Sequence, residues 1–115
     1  MRAAAVVVLS LTLVSSAAAH SLLLESSPAA GATVDAGPRE LALRFNNRIE
    51  KRLSRIRLVD DGGEGQDLAI ATDGAADRLT APVPAVKPGR YRVEWQVLST
   101  DGHVVTGRYS FTVGR

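Results

Sequence analysis

Arg90-Tyr91-Arg92-Val93-Glu94-Trp95-Gln96-Val97-Leu98 decides the fold. Tyr91, Val93, Trp95 and Val97 share one parity, and Arg92, Glu94 and Gln96 share the other. Successive side chains on an extended backbone point to opposite faces, so this period of two predicts a strand with one face against a core. Lys87-Pro88-Gly89 breaks the chain before it and Asp101-Gly102 turns it after. Beyond that turn the alternation resumes, with Val105, Gly107, Tyr109, Phe111 and Val113 on one side. Two alternating runs joined through Asp-Gly predict a β-hairpin.

Working towards the N-terminus, the same period recurs in shorter pieces. Leu41, Leu43 and Phe45 alternate with Glu40, Ala42 and Arg44, and Ile56 and Leu58 alternate with Arg55 and Arg57. Leu68 and Ile70 form a short pair, and Leu79, Ala81 and Val83 a further run. Turn chemistry separates them at Ser27-Pro28, Ala36-Gly37-Pro38, Asp60 to Gly65 and Asp73-Gly74. No stretch after residue 20 keeps a helical period over ten residues, although residues 46–54 have room for one helical turn. Counting Leu22 to Glu25, about seven short strands are predicted. The expected fold is all-β, an immunoglobulin-like Greek-key β-sandwich.

The first residues read differently. Arg2 is followed by an apolar run, Ala3 to Val14, broken only by Ser10 and Thr12, and then by Ser15-Ser16-Ala17-Ala18-Ala19. A basic start, an apolar centre and a small-residue end make a cleavable secretory signal. The run is shorter than the roughly 20 residues that span a bilayer. Residues 1–19 are therefore expected to be removed, leaving a domain of residues 20–115 in the periplasm or outside the cell. Cleavage removes one of the 14 basic residues, Arg2, and leaves 13 against 12 acidic ones. So balanced a domain is not expected to bind nucleic acid. The chain has no Cys, and Met1 is its only Met. Disulfides, thiolate or thioether metal sites and thiol catalysis are all excluded, and core packing alone must hold the domain together.

Both histidines of the chain stand in unusual places. His20 would start the processed chain, where its α-amine and ring nitrogen close a chelate on one metal ion. Asp101 and His103 lie two apart in Ser99-Thr100-Asp101-Gly102-His103, so in extended backbone a carboxylate and an imidazole project from the same side. Should the first strand lie beside this loop, His20, Asp101 and His103 together supply three nitrogens and one oxygen. Such a set suits a tetragonal Cu(II) site, with Ni(II) and Zn(II) as weaker candidates, and the lack of soft sulfur ligands argues against Cu(I).

His20-Ser21-Leu22, Ser26-Ser27-Pro28-Ala29 and Gly31-Ala32 resemble the start of CopC-type copper-binding proteins. The later pattern is similar to that family as well: Gly89-x-Tyr91-x-Val93-x-Trp95, Ser99-x-Asp101-Gly102-His103, Gly107 and Phe111-x-Val113. The resemblance covers nearly all of residues 20–115, more loosely near 60–85. It implies a periplasmic or extracellular seven-stranded sandwich that binds one Cu(II) per chain through His20, Asp101 and His103, acts as a monomeric carrier rather than an enzyme, and hands copper to a CopD-like membrane transporter. Relatives with a second, Cu(I) site use a Met-rich loop that this sequence lacks. Asn46-Asn47 stands where some relatives place a carboxylate, and Val104 where relatives often have Pro.

Other patterns invite other functions. Arg44, Arg48, Lys51, Arg52, Arg55 and Arg57 form a basic stretch, read either as a docking face for an acidic partner or as a solvated surface. Asp60-Asp61-Gly62-Gly63-Glu64 lacks the ligand spacing of an EF-hand and reads as a polar hairpin loop. Two alternatives to the carrier remain: a copper-dependent oxidative enzyme with a histidine brace, as in polysaccharide monooxygenases, and a metal-free interaction sandwich.

Overall fold

The computed structural model describes residues 3–4 and 22–114. The remainder of the expected signal, the cleavage site and His20 lie outside the described residues. Among the described residues, eight strands follow in order: β1 (Leu23–Ser27), β2 (Thr33–Val34), β3 (Glu40–Phe45), β4 (Arg55–Val59), β5 (Gly65–Leu68), β6 (Arg78–Pro82), β7 (Gly89–Leu98) and β8 (Val104–Val113). They form two sheets, a three-stranded one ordered β1-β3-β6 and a five-stranded one ordered β2-β8-β7-β4-β5. Consecutive strands β3 and β4 belong to different sheets, and β6 returns beside β3 while β7 returns beside β4. These crossovers make the sandwich that the alternating runs predict.

The β7–β8 hairpin carries the longest register. Its inward rungs are Tyr91↔Phe111, Val93↔Tyr109, Trp95↔Gly107 and Val97↔Val105, and Arg92↔Ser110, Glu94↔Arg108 and Gln96↔Thr106 lie between them. Ile56 and Leu58 of β4 extend this inward face within the same sheet, and Leu41, Leu43 and Phe45 of β3 with Leu79 and Ala81 of β6 pack against it from the other sheet, all buried. Each comes from a position whose sequence parity marks it as inward. Trp95 packs edge-on and tilted against the core, with its ring centroid 6.3 Å from Phe45 and 6.1 Å from Tyr109. Tyr91 stacks on Phe111 at 5.7 Å.

Three details go beyond the sequence pattern. Two-residue β2 is an eighth strand, parallel to the end of β8, with Thr33↔Thr112 and Val34↔Val113. It follows a turn in which the Gly31 N–H donates to the Ser110 carbonyl at 2.7 Å. Two residues are too few for alternation to show. The β5 strand begins at Gly65 and ends at Leu68, so Ile70 falls outside it. The start of β5 is set by the β4–β5 turn, where the Asp60 N–H donates to the Glu64 carbonyl at 2.8 Å so that pairing begins with Val59↔Gly65, and past Leu68 the chain turns to β6, where the Ala71 N–H donates to the Thr80 carbonyl at 2.8 Å. Within residues 46–54 the helical turn is a single 3-10 turn, Lys51–Leu53.

Candidate metal centre

The last rung of the hairpin is Leu98↔Val104. Across the loop between them, the Ser99 N–H donates to the His103 carbonyl at 2.9 Å and the Gly102 N–H to the Ser99 carbonyl at 2.9 Å. Gly102 sits at φ +90°, a conformation that side-chain-bearing residues rarely adopt, which explains a glycine between the two candidate ligands. Ser99 is buried, and its hydroxyl makes a short hydrogen bond to Asp101 Oδ1. The same oxygen receives the His103 amide at 3.3 Å and lies 3.1 Å from His103 Nδ1. The carboxylate and imidazole are thus held together by the loop's own bonds, with side chains 42% and 52% exposed and open to a solute.

The electrostatics follow from this geometry. The Ser99 hydroxyl foremost, and then His103, hold the Asp101 carboxyl below its ordinary range, because both donate to its ionised form. An ionised carboxylate beside an imidazole is a fitting donor pair for a divalent cation. With bonds of about 2.0–2.2 Å, adjacent corners of a metal polyhedron lie about 2.8–3.5 Å apart, and the observed Nδ1–Oδ1 separation falls in that span. Among the described residues no third His, Cys, Asp or Glu completes the pair into a metal cluster.

The N-terminal strand arrives at the same end of the sandwich. Strand β1 pairs with β3 through Leu23↔Phe45, with a register shift between Leu23 and Glu25. One residue further out, the Asn46 N–H donates to the Leu22 carbonyl at 3.0 Å, and the Leu22 N–H donates to the Asn46 side-chain Oδ1 at 2.7 Å. From Asn46 the chain runs directly to the 99–103 loop. The Arg48 carbonyl accepts from the Thr100 N–H at 3.2 Å, Ile49 bridges Ser99, and the Glu50 N–H donates to the Leu98 carbonyl at 2.8 Å. His20 precedes Leu22 by two residues, a reach of at most ~7 Å.

Of the predicted ligands, Asp101 and His103 are brought together, and His20 lies outside the described residues. In the sequence, Ser99 stands out only as part of Ser99-x-Asp101-Gly102-His103, and Asn46 only as a place where some relatives have a carboxylate. A serine two residues before an aspartate in a turn is a usable signal for a side-chain bond. Nothing local marks Asn46, whose partner lies 24 residues away. The basic stretch divides between the two sheets. Arg44 on β3 pairs with Glu25 at 2.9 Å, while Arg55 on β4 lies 3.6 Å from Asp67. Such a division favours the solvated surface over one docking face. The Asp60–Glu64 segment is a hairpin turn, closed further by the Glu64 N–H donating to Asp60 Oδ1 at 2.9 Å. A groove of about 420 Å³ over the outer face of the larger sheet is lined by Arg55, Arg57, Glu94, Gln96, Thr106 and Arg108 among others, and contains none of the candidate ligands.

Comparison with known proteins covers nearly the whole of the described sandwich. A family model described as the CopC domain matches residues 23–114. The protein YobA of Escherichia coli K12 is 35% identical over 98 residues, spanning 83% of this chain and 79% of the relative. The crystal structure of CopC from Methylosinus trichosporium OB3b superposes with a TM-score of 0.79 at 36% identity, covering 83% of this chain and 94% of that one. PcoC, described as a methionine-rich copper resistance protein from Escherichia coli, superposes with a TM-score of 0.70 at 29% identity, covering 82% and 98%.

Proposed function

The chain belongs to the CopC family of copper resistance proteins, and on that premise we propose that it is an exported, non-enzymatic carrier holding one Cu(II) ion through His20, Asp101 and His103. The observation that carries this proposal is the preformed pair in the β7–β8 loop, with His103 Nδ1 3.1 Å from Asp101 Oδ1. The fastening of Leu22 beside Asn46 supports the approach of His20 to the same loop. Hard and borderline donors without sulfur favour Cu(II) over Cu(I). In this respect the chain differs from methionine-rich PcoC, since Met1 is its only methionine.

In this scheme, removal of residues 1–19 frees the His20 amine, which chelates the ion together with the His20 ring. Asp101 neutralises one of the two positive charges, and His103 supplies the remaining nitrogen. Deprotonated donors are required, so uptake releases protons and acid releases the ion. Asp101 takes a coordination position that an oxygen-activating brace would leave open, which favours carriage over oxidative chemistry. The destination we propose is a membrane copper transporter, with the carrier monomeric in the periplasm or outside the cell.

The test begins with the exported protein, whose mass must place its first residue at His20. A one-to-one Cu(II) EPR spectrum rich in nitrogen couplings is expected. It should collapse in His103→Ala and in a protein whose N-terminus carries one additional residue, where the amine becomes an amide. Bound copper should stabilise the fold by about 4 kcal/mol at a free concentration 1,000 times Kd. A spectrum indifferent to both changes would refute the ligand set.

A further inference from the structure

The hydrogen bonds at the start of β1 assign a role to a residue outside the ligand set. In an antiparallel ladder the N–H of a residue beyond Leu23 would ordinarily seek a backbone carbonyl on β3. Here Leu22 bonds Asn46 twice by different means. Its carbonyl accepts from the Asn46 backbone at 3.0 Å, while its N–H donates to the Asn46 side chain at 2.7 Å. The side-chain amide thus extends the ladder by one bond as the β3 backbone leaves for the 99–103 loop. That bond is the last described hold on the chain before residues 20 and 21. Within four residues of Asn46, the same segment also holds Leu98 and Thr100 through Glu50 and Arg48.

We propose that the Asn46 side chain is a positioning residue for the N-terminal ligand, aiming the backbone at Leu22 so that His20 meets Asp101 and His103. This inference rests on the ligand set proposed above. Asn46 touches no ion itself. Its Oδ1 orders the backbone two residues from His20 before copper arrives, so less conformational freedom is lost on binding. Asparagine suits this task because a neutral acceptor oxygen satisfies the Leu22 N–H without adding charge next to the 99–103 loop. Loss of one such exposed hydrogen bond is expected to weaken Cu(II) binding about five- to tenfold.

The experiment compares the processed wild-type protein with Asn46→Ala, Asn46→Leu and Asn46→Asp, using Cu(II) competition titrations and EPR, with circular dichroism of the metal-free forms as a check of folding. Asn46→Leu retains side-chain bulk should Asn46→Ala fold poorly. Both variants lacking the acceptor are expected to bind five- to tenfold more weakly and to show altered or heterogeneous copper hyperfine couplings. Asn46→Asp keeps the acceptor oxygen and should restore the wild-type spectrum. It is judged on the spectrum, because an added negative charge attracts any cation. Wild-type affinity and spectrum in a folded Asn46→Ala or Asn46→Leu protein would overturn the role of Asn46 while leaving the ligand set standing. So would an Asn46→Asp spectrum as altered as that of the alanine variant. If the wild-type spectrum itself ignores an N-terminal extension, the ligand set fails and this role fails with it.

Discussion

Gly107→Ala is the most exacting test of how the core around Trp95 is packed. Gly107 lies directly across from Trp95 in the β7–β8 ladder. A Cβ built there overlaps the indole at Cζ2 and comes within 2.5 Å of Cε2 and 2.9 Å of Cη2, where ordinary carbon contacts are about 3.5–4.0 Å. The ring is rigid and is flanked by Phe45 and Tyr109, so it must swing away as a unit. Overpacking costs about 1–3 kcal/mol, and each aromatic contact disturbed costs about 0.5–1.5 kcal/mol more. Replacing glycine by alanine returns about 0.4–1 kcal/mol through the unfolded chain. A net loss of about 1–5 kcal/mol follows, and even its lower end is roughly 4–8 °C in Tm for a domain of this size. Thermal unfolding by circular dichroism measures it. Trp95 is the only tryptophan in the chain, so its emission should shift to the red in the same variant. A Trp95→Phe background should remove most of the penalty. An unchanged Tm together with unchanged emission would refute the packing described around Trp95.

Three further outcomes are expected. Gly65→Ala places a Cβ about as close to Arg57, 2.8 Å from Cζ, but that group is the far end of an exposed, flexible side chain. It should swing aside, and Tm should move by no more than about 0.5 kcal/mol in equivalent stability. The Tyr109 hydroxyl is buried without a well-formed hydrogen bond among the described residues, and burial raises its pKa to about 12, against a smaller lowering by Ser26. The folded state therefore favours the neutral phenol, and its contribution is complete below pH 10 and lost as the pH rises towards 12. Tyr109→Phe should match or exceed the wild type in urea unfolding at pH 8 and lose less stability between pH 10 and 12. In Ser99→Ala, Asp101 loses the donor that most depresses its pKa. Its carboxyl then protonates at higher pH, and a titration of bound Cu(II) against acid should show release beginning at higher pH than in the wild type.

Strand identity was legible because it is local. Each side chain's face is set by its immediate neighbours, so the parity of Tyr91, Val93, Trp95 and Val97 or of Leu41, Leu43 and Phe45 could be read without knowing what they pack against. The turns were legible for the same reason, Gly102 and the Asp60–Gly65 loop among them. Strand β2 was not, since two residues hold no period and its pairing with Thr112 and Val113 depends on where β8 ends. The β5 boundary also moved, because the hydrogen bonds of the turn decided where pairing began.

The same division runs through the candidate metal centre. Asp101 and His103 stand two apart in a turn, and their convergence follows from local backbone geometry. The absence of sulfur donors, on which the Cu(II) proposal rests, is a matter of composition alone. Those features belong to the sequence by itself. The end of the sandwich at which β1 starts, and the residue that receives its first N–H, depend on long-range pairing. Asn46 meets Leu22 across 24 residues only because β1 and β3 lie side by side. Thr100 meets Arg48 only because the chain crosses from one sheet to the other between β3 and β4. Burial of apolar side chains drives those strands together, and the polar contacts around the 99–103 loop take their places from that packing.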